Sequence, residues 1–337
     1  MEKLRIQWLA VLRGFNIVLV VMFHVQLIDM TTGENHILCT AITEPFNPIR
    51  MPLFIFCSGG LLYISRIKKE WSIKDLYVDK IYRILCPFLF FVTFYYFFKV
   101  LLNSFVKTKV PLSLTYFLES FCIYPNHPSA HLWFLAVLFW FMLLYPLFVW
   151  LCKEKIRMVL FLVFTVLFYL YGDVSIDGLD NYFYIFSLNQ YLVYFFFGIF
   201  FFKYELYRYL KTIYSLLTTL IVYYISYSME IPLITQVSGI LFMISLCQLL
   251  AVRYPYLFIS FREYIYQIFL MSFIFQPFVE LILWKKLFYQ ENLFIVFYLL
   301  NVFSGIYLPV MISKLVERSS CRVLKICLGL KTTYSVS

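Results

Sequence analysis

An arginine and a histidine stand out for where they fall. Arg13, in Val11-Leu12-Arg13-Gly14-Phe15, and His24 both lie within the first apolar run of the chain. An ionisable side chain inside a membrane span costs a few kcal/mol or more and usually faces a polar cavity. The two are eleven residues apart, about 16.5 Å of rise in an α-helix. Eleven steps of about 100° return to nearly the same azimuth, so they share one stripe of one helix, about three turns apart. Asn16 lies just off that stripe. Guanidinium stays charged and imidazole titrates near neutral pH, chemistry suited to holding an anion and to moving a proton. A polar stripe down a buried helix points to a hydrated groove. The same positions also admit blander roles: an interfacial anchor for Arg13 and a hydrogen-bonded packing residue for His24.

The elements that would carry this stripe are membrane helices. Apolar residues make up 63% of the 337 positions and charged residues 14%, whereas a soluble domain carries about a quarter charged residues. Aromatics reach 22%, which suits lipid-facing and interfacial positions; the aromatic runs 94–98 and 194–197 read as lipid-facing bulk. The net charge of +10 would fit a nucleic-acid partner only if the basic residues formed one patch or stripe, and they do not. They sit in short clusters between apolar runs. The eight cysteines form no CxxC pair and no Cys/His cluster, so no metal site is indicated. Cys39 and Cys122 would lie in external loops, and spacing alone does not join them.

A spanning helix needs roughly 20 mainly apolar residues. Ten segments qualify as candidates: 8–28, 49–65, 84–106, 131–151, 157–171, 182–202, 210–229, 233–252, 258–283 and 293–315. The N-terminal run resembles a signal peptide, but Arg13 interrupts it and no small-residue cleavage site follows, so it reads as a retained first span. Of the 28 Lys and Arg, 21 fall on the N-terminus, alternate loops and C-terminus, and five on the opposite loops. That asymmetry predicts both termini in the cytoplasm and an even number of spans. The predicted external loop at 172–181 carries Asp173, Asp177 and Asp180 and no base. Only Arg13 and Lys99 are left over; Lys99, near the outer end of the third segment, can snorkel to the interface. The expected fold is an all-α polytopic transmembrane bundle of about ten spans, one domain over 1–337. No internal repeat and no broken helix is legible, so an inverted-repeat transporter has no positive support.

Four segments bring a family into view. Leu12-Arg13-Gly14, followed by Val20-Val21-Met22-Phe23-His24, resembles the opening of the membrane acyltransferase-3 family, where an Arg and a His are separated by ten residues. Met51-Pro52-Leu53-Phe54-Ile55-Phe56-Cys57-Ser58-Gly59 is similar to that family's second-helix signature. Lys80-Ile81-Tyr82-Arg83 with Pro87 resembles its basic turn entering the third helix, and His131-Leu132-Trp133-Phe134-Leu135 its fourth-helix motif. The motifs cover roughly the first 150 residues, and helix count covers the rest. The chain departs from the pattern at Ala10, where members often have Asp, and at Ser272, where many have a late His.

The resemblance implies transfer of an acyl group, usually acetyl, from cytosolic acyl-CoA to a hydroxyl of a surface or exported glycan, free or lipid-linked. It implies no bound cofactor, acetyl-CoA as co-substrate, and a multi-pass protein of the inner or plasma membrane. In that reading His24 is the general base, since a sugar hydroxyl is a poor nucleophile; a covalent acyl-histidine relay is the variant. Arg13 would bind a phosphate or carbonyl of the donor, and Lys80 and Arg83 would clamp CoA phosphates. His131 and Trp133 would meet the acceptor sugar, and Arg50 an anionic acceptor group. Each has a blander counterpart: a structural ion pair for Arg13, topogenic charge for Lys80 and Arg83, and an interfacial anchor for Trp133. Two other functions compete: a transporter or flippase of a lipid-linked sugar, with the Arg13–His24 stripe as its path, and a non-catalytic scaffold of a polysaccharide export machine.

Overall fold

The computed structural model describes residues 2–28, 35–104, 109–122, 130–172, 182, 184–287 and 293–330. Each of the ten apolar segments contains a helix among its described residues, the arrangement that satisfies a backbone with no water to bond. The chain is all-helical, with no strand among the described residues and one isolated bridge, Ile28–Asn35. The helices are α1 (Glu2–Phe23), α2 (Ile37–Thr43), α3 (Asn47–Ser65), α4 (Ile73–Lys80), α5 (Cys86–Leu101), α6 (Leu114–Glu119), α7 (Trp133–Leu143) and α8 (Tyr145–Leu151). They continue with α9 (Lys155–Tyr171), α10 (Phe186–Lys203), α11 (Ile213–Ser228), α12 (Pro232–Arg253), α13 (Ile265–Phe278), α14 (Phe294–Arg318) and α15 (Arg322–Cys327).

Among the described residues, five helical stretches are long and apolar enough to cross a membrane: Ile37–Lys69, Ile73–Leu101, Pro232–Arg253, Arg262–Trp284 and Phe294–Arg318. A sixth arises if α7 and α8 count as one span bent by 53°. The bend corrects the expectation of unbroken helices. Pro146 near the start of α8 has no N–H to continue the ladder, and the chain turns at Leu144. Gln7–Phe23 and Ile213–Ser228 are apolar but shorter.

The described chain divides into two compact units, with the boundary inside α3 between Cys57 and Ser58. The first takes in residues up to Cys57 and Tyr204–Ser319. In it α11 pairs with α12 and α13 with α14, and α1 packs against α12, α13 and α14. Val11, Leu12, Ile17, Val20 and Val21 of α1 are fully buried, whereas α11 exposes Ile213, Leu217, Leu220, Ile221 and Ile225. A face so apolar suits lipid, not water.

The second unit holds Ser58–Lys203 and the residues after Ser319. Here α10 packs against α7 and α9, and α15 against α5. Gly59 is needed where α3 meets α10, because a Cβ there would collide with the Phe195 carbonyl. The aromatic run 194–197 is not lipid-facing bulk: Tyr194, Phe195 and Phe196 are buried. Phe195 meets Phe141 at 4.9 Å and Phe148 at 5.6 Å between ring centroids. A helix flanked by two others has little lipid face, so its large rings go to the core. In the 94–98 run Tyr95 and Tyr96 are buried and Phe97 is exposed. All eight cysteines, Cys39 and Cys122 included, are free thiols.

Candidate functional site

Helix α1 stops at Phe23, short of the expected 28. The reason lies in its last turn. The His24 N–H bonds the Val21 carbonyl at 3.1 Å and the Val25 N–H bonds Met22 at 3.2 Å, so the winding tightens and ends. The departing chain finds partners elsewhere. Asn35 Oδ1 accepts from the Leu27 N–H at 3.0 Å, the His36 N–H donates to Leu27 at 2.8 Å, and the Trp284 indole donates to Ile28 at 2.8 Å.

The His24 ring reaches back along this turn to the Val20 carbonyl: Nδ1 lies 2.6 Å from Val20 O. A carbonyl only accepts, so Nδ1 carries the proton and Nε2 the lone pair. Nε2 has no hydrogen-bond partner among the described residues. The half-buried ring is held edge-on by Phe273, centroids 4.1 Å apart. Its tautomer and orientation are thus both fixed, with the basic nitrogen unengaged.

Arg50 comes to the same end of α1. Its guanidinium lies 3.3 Å above the centre of the Phe23 ring, and its Nε is 3.3 Å from Asn47 Oδ1. With its amide turned to satisfy both partners, Asn16 donates to the Arg50 carbonyl at 3.0 Å and accepts from the Phe54 N–H at 3.1 Å. Both backbone groups lie in the turn of α3 that contains Pro52. A cavity of about 10 Å³, room for one water, lies between Leu19, Met22, Phe23, Ile42, Thr43, Phe46 and Arg50.

Arg13 lies well down the same helix, half-buried. The Glu263 carboxylate is near enough to act on it, but no hydrogen bond or salt bridge is made to Arg13 among the described residues. The structural ion pair that would have explained this residue is therefore absent from them.

In the second unit Lys80 and Arg83 come together on a residue that the sequence reading passed over. Asp79 receives Arg66 at 3.2 Å, Lys80 at 3.4 Å and Arg83 at 3.7 Å. Local chain geometry builds this cluster. Glu70 adopts a left-handed conformation that closes the turn after α3, and the Arg66 guanidinium stacks 3.4 Å from the Trp71 ring centre. Trp71 is held in turn by Tyr145, whose hydroxyl donates to its carbonyl at 2.8 Å. Ser72 caps α4 through the Asp75 N–H, and a π-helical stretch, Ile81–Leu85, follows and carries Arg83. Three cations on one carboxylate leave a local excess of positive charge, an arrangement suited to phosphate. An acid four residues before Arg83 is a helical pairing visible in the spacing; the approach of Arg66 is not.

His131 and Trp133 turn to different partners. The His131 ring meets Tyr95 edge-on at 4.9 Å, and Trp133, which opens α7, lies 4.9 Å from Tyr191. Of the seven predicted residues, His24 and Arg50 gather at the end of α1, Arg13 stands apart on that helix, and the other four belong to the second unit.

A family model described as an acyltransferase domain, that of the acyltransferase 3 family, matches residues 6–314. No curated protein and no solved structure matches the chain.

Proposed function

The chain belongs to the acyltransferase 3 family, and from that premise we propose that it moves an acetyl group from cytosolic acetyl-CoA to a hydroxyl of a surface or exported glycan. That it is a membrane acyltransferase follows from the family and the apolar helices. The proposed topology is ten spans with both termini in the cytoplasm of an inner or plasma membrane, supported by the charge asymmetry of the loops.

The observation that carries the proposal is the imidazole of His24, pinned through Nδ1 and basic at Nε2. Nε2 takes the proton of the acceptor hydroxyl as its oxygen attacks the thioester carbonyl. The C–O bond forms and the C–S bond breaks. The CoA thiolate leaves and recovers the proton from the imidazolium, so the base is regenerated. Arg13 is about 16.5 Å away along α1, too far for one oxygen to touch both. It is assigned to a phosphate of the donor, not to the reacting carbonyl, and its lack of an ion pair or hydrogen bond among the described residues supports an anionic ligand. Lys80 and Arg83, with Arg66, are assigned to CoA phosphates. Arg50, His131 and Trp133 are assigned to the acceptor; for Arg50 the ring of Phe23 already holds the guanidinium in place.

The bent α7–α8 pair favours a second reading, a transporter or flippase of a lipid-linked sugar, since broken helices line transport paths. One assay separates the two. Purified protein in proteoliposomes with labelled acetyl-CoA and membrane glycan should transfer label without any ion gradient. Gradient-dependent movement of unmodified glycan, with no label transferred, would establish the transporter instead.

A further inference from the structure

We infer that Gln276 is a positioning residue for His24: its side-chain amide holds the tightened last turn of α1, from which the imidazole reaches the Val20 carbonyl. The inference rests on the reading of His24 as the base. Were α1 to continue as a regular helix, the His24 N–H would point to Val20 O and the whole residue, ring included, would be turned relative to that carbonyl. In the observed turn the His24 N–H bonds Val21 O instead, at 3.1 Å, and Gln276 Nε2 donates to that same Val21 O at 2.9 Å. The second donor aims the Val21 carbonyl out of the regular helical direction and holds the tightened turn. From that turn Nδ1 reaches Val20 O.

Gln276 is itself placed from two sides. Asn301 Nδ2 donates to the Gln276 carbonyl at 3.2 Å. Gly305 makes room: a Cβ there would lie 2.9 Å from Val21 Cγ1 and 3.0 Å from Gln276 Cγ. Three residues before Gln276, Phe273 supplies the ring against His24. The arrangement carries a local cost. Gln276 Oε1 and Asn301 Oδ1 are buried and have no hydrogen-bond partner among the described residues. An apolar side chain of similar size would avoid an orphaned buried oxygen. Packing therefore does not explain an amide at 276, whereas its donor to Val21 does.

The test uses the full-length protein in nanodiscs with ¹⁵N-labelled histidine. The chain has four histidines, so the His24 signals are those lost in His24→Gln. In the wild type His24 should show a single Nδ1–H tautomer. Gln276→Met fills the space without a donor; it should give a mixture of tautomers and a kcat lower by about tenfold or more, with the KM for acetyl-CoA unchanged. In Gln276→Glu the carboxyl donates to Val21 only while protonated, so the ratio of its kcat to that of the wild type should fall as pH rises. Should Gln276→Met not accumulate, that ratio alone decides, and a flat ratio overturns the inference. A Gln276→Met protein with the wild-type tautomer overturns it whatever its kcat. If His24→Gln is inactive in the same assay, the base reading survives that failure; if His24→Gln turns over normally, both fall together.

Discussion

Two regions of this molecule handle buried charge in opposite ways. At α4, three cations share the Asp79 carboxylate, and Arg66 is further stacked on Trp71. Along α1 the groups share no carboxylate: Arg13 has no ion pair among the described residues, and His24 has one side-chain hydrogen bond and contacts with the Phe23 and Phe273 rings. A charge beside its counter-ion has much of its desolvation cost offset locally. A charge without one stays costly until a ligand or water meets it. The cluster therefore suits a graded task, affinity for a polyanionic donor, in which neighbours can compensate for one another. The solitary groups suit tasks that a single residue performs and no neighbour can take over.

Substitutions can break or sharpen that contrast. The largest loss belongs to His24. His24→Ala and His24→Gln should lower turnover by about 10²- to 10⁴-fold, the usual worth of a general base, while the protein still inserts and accumulates. Next is the cluster: Lys80→Gln with Arg83→Gln should raise the KM for acetyl-CoA by roughly tenfold to a hundredfold, one or two charge-assisted contacts, and largely spare kcat. Each single variant should do less than half of the double in free energy if Arg66 and the remaining cation compensate. An unchanged KM in the double variant returns both residues to a topogenic role. Arg13→Lys keeps the charge but loses the planar fork, so kcat/KM should fall about tenfold, chiefly through KM. The smallest effect is at Asp79. Asp79→Asn should lower the stability of the solubilised protein by about 1 kcal/mol, read as a shift in thermal unfolding, because three like charges lose their common partner.

The same contrast explains how much could be read from the sequence. Hydropathy marked where helices fall, because the membrane demands intrachain hydrogen bonding whatever the side chains; among the described residues, five helical stretches, or six with the bent pair, are long and apolar enough to span. The stripe of Arg13 and His24, with Asn16 beside it, is what helical periodicity predicts, whereas α1 ends at Phe23 and His24 lies in the tightened turn beyond it. Ends were harder. The sequence predicts that α1 runs to 28, because Val25, Leu27 and Ile28 are as apolar as what precedes them, yet a hydrogen bond to Asn35, eight residues on from Leu27, and one from Trp284, remote in sequence, hold the chain beyond Phe23. The expected segment 258–283 begins as irregular turns with Phe258 at a positive φ, starts as α13 only at Ile265, and becomes π-helical beyond Pro277. Pro146 was visible, but its 53° consequence depends on packing. The Arg66–Asp79 contact and the Gln276–Val21 bond join residues 13 and 255 positions apart. Periodicity is blind to both. The run 194–197 misled for the same reason, since aromatic side chains serve lipid and core alike and only the neighbouring helices decide between them.

The central claim, that the neutral imidazole of His24 takes the acceptor proton, is tested most directly by the pH dependence of wild-type kcat in proteoliposomes with saturating acetyl-CoA. A base must be unprotonated to act. The account predicts that kcat falls on the acid side with the slope of a single ionisation, as His24 takes up a proton, and that the residual activity of His24→Gln lacks that limb. A wild-type profile that is flat on the acid side, or an acid limb that persists unchanged in His24→Gln, would contradict it.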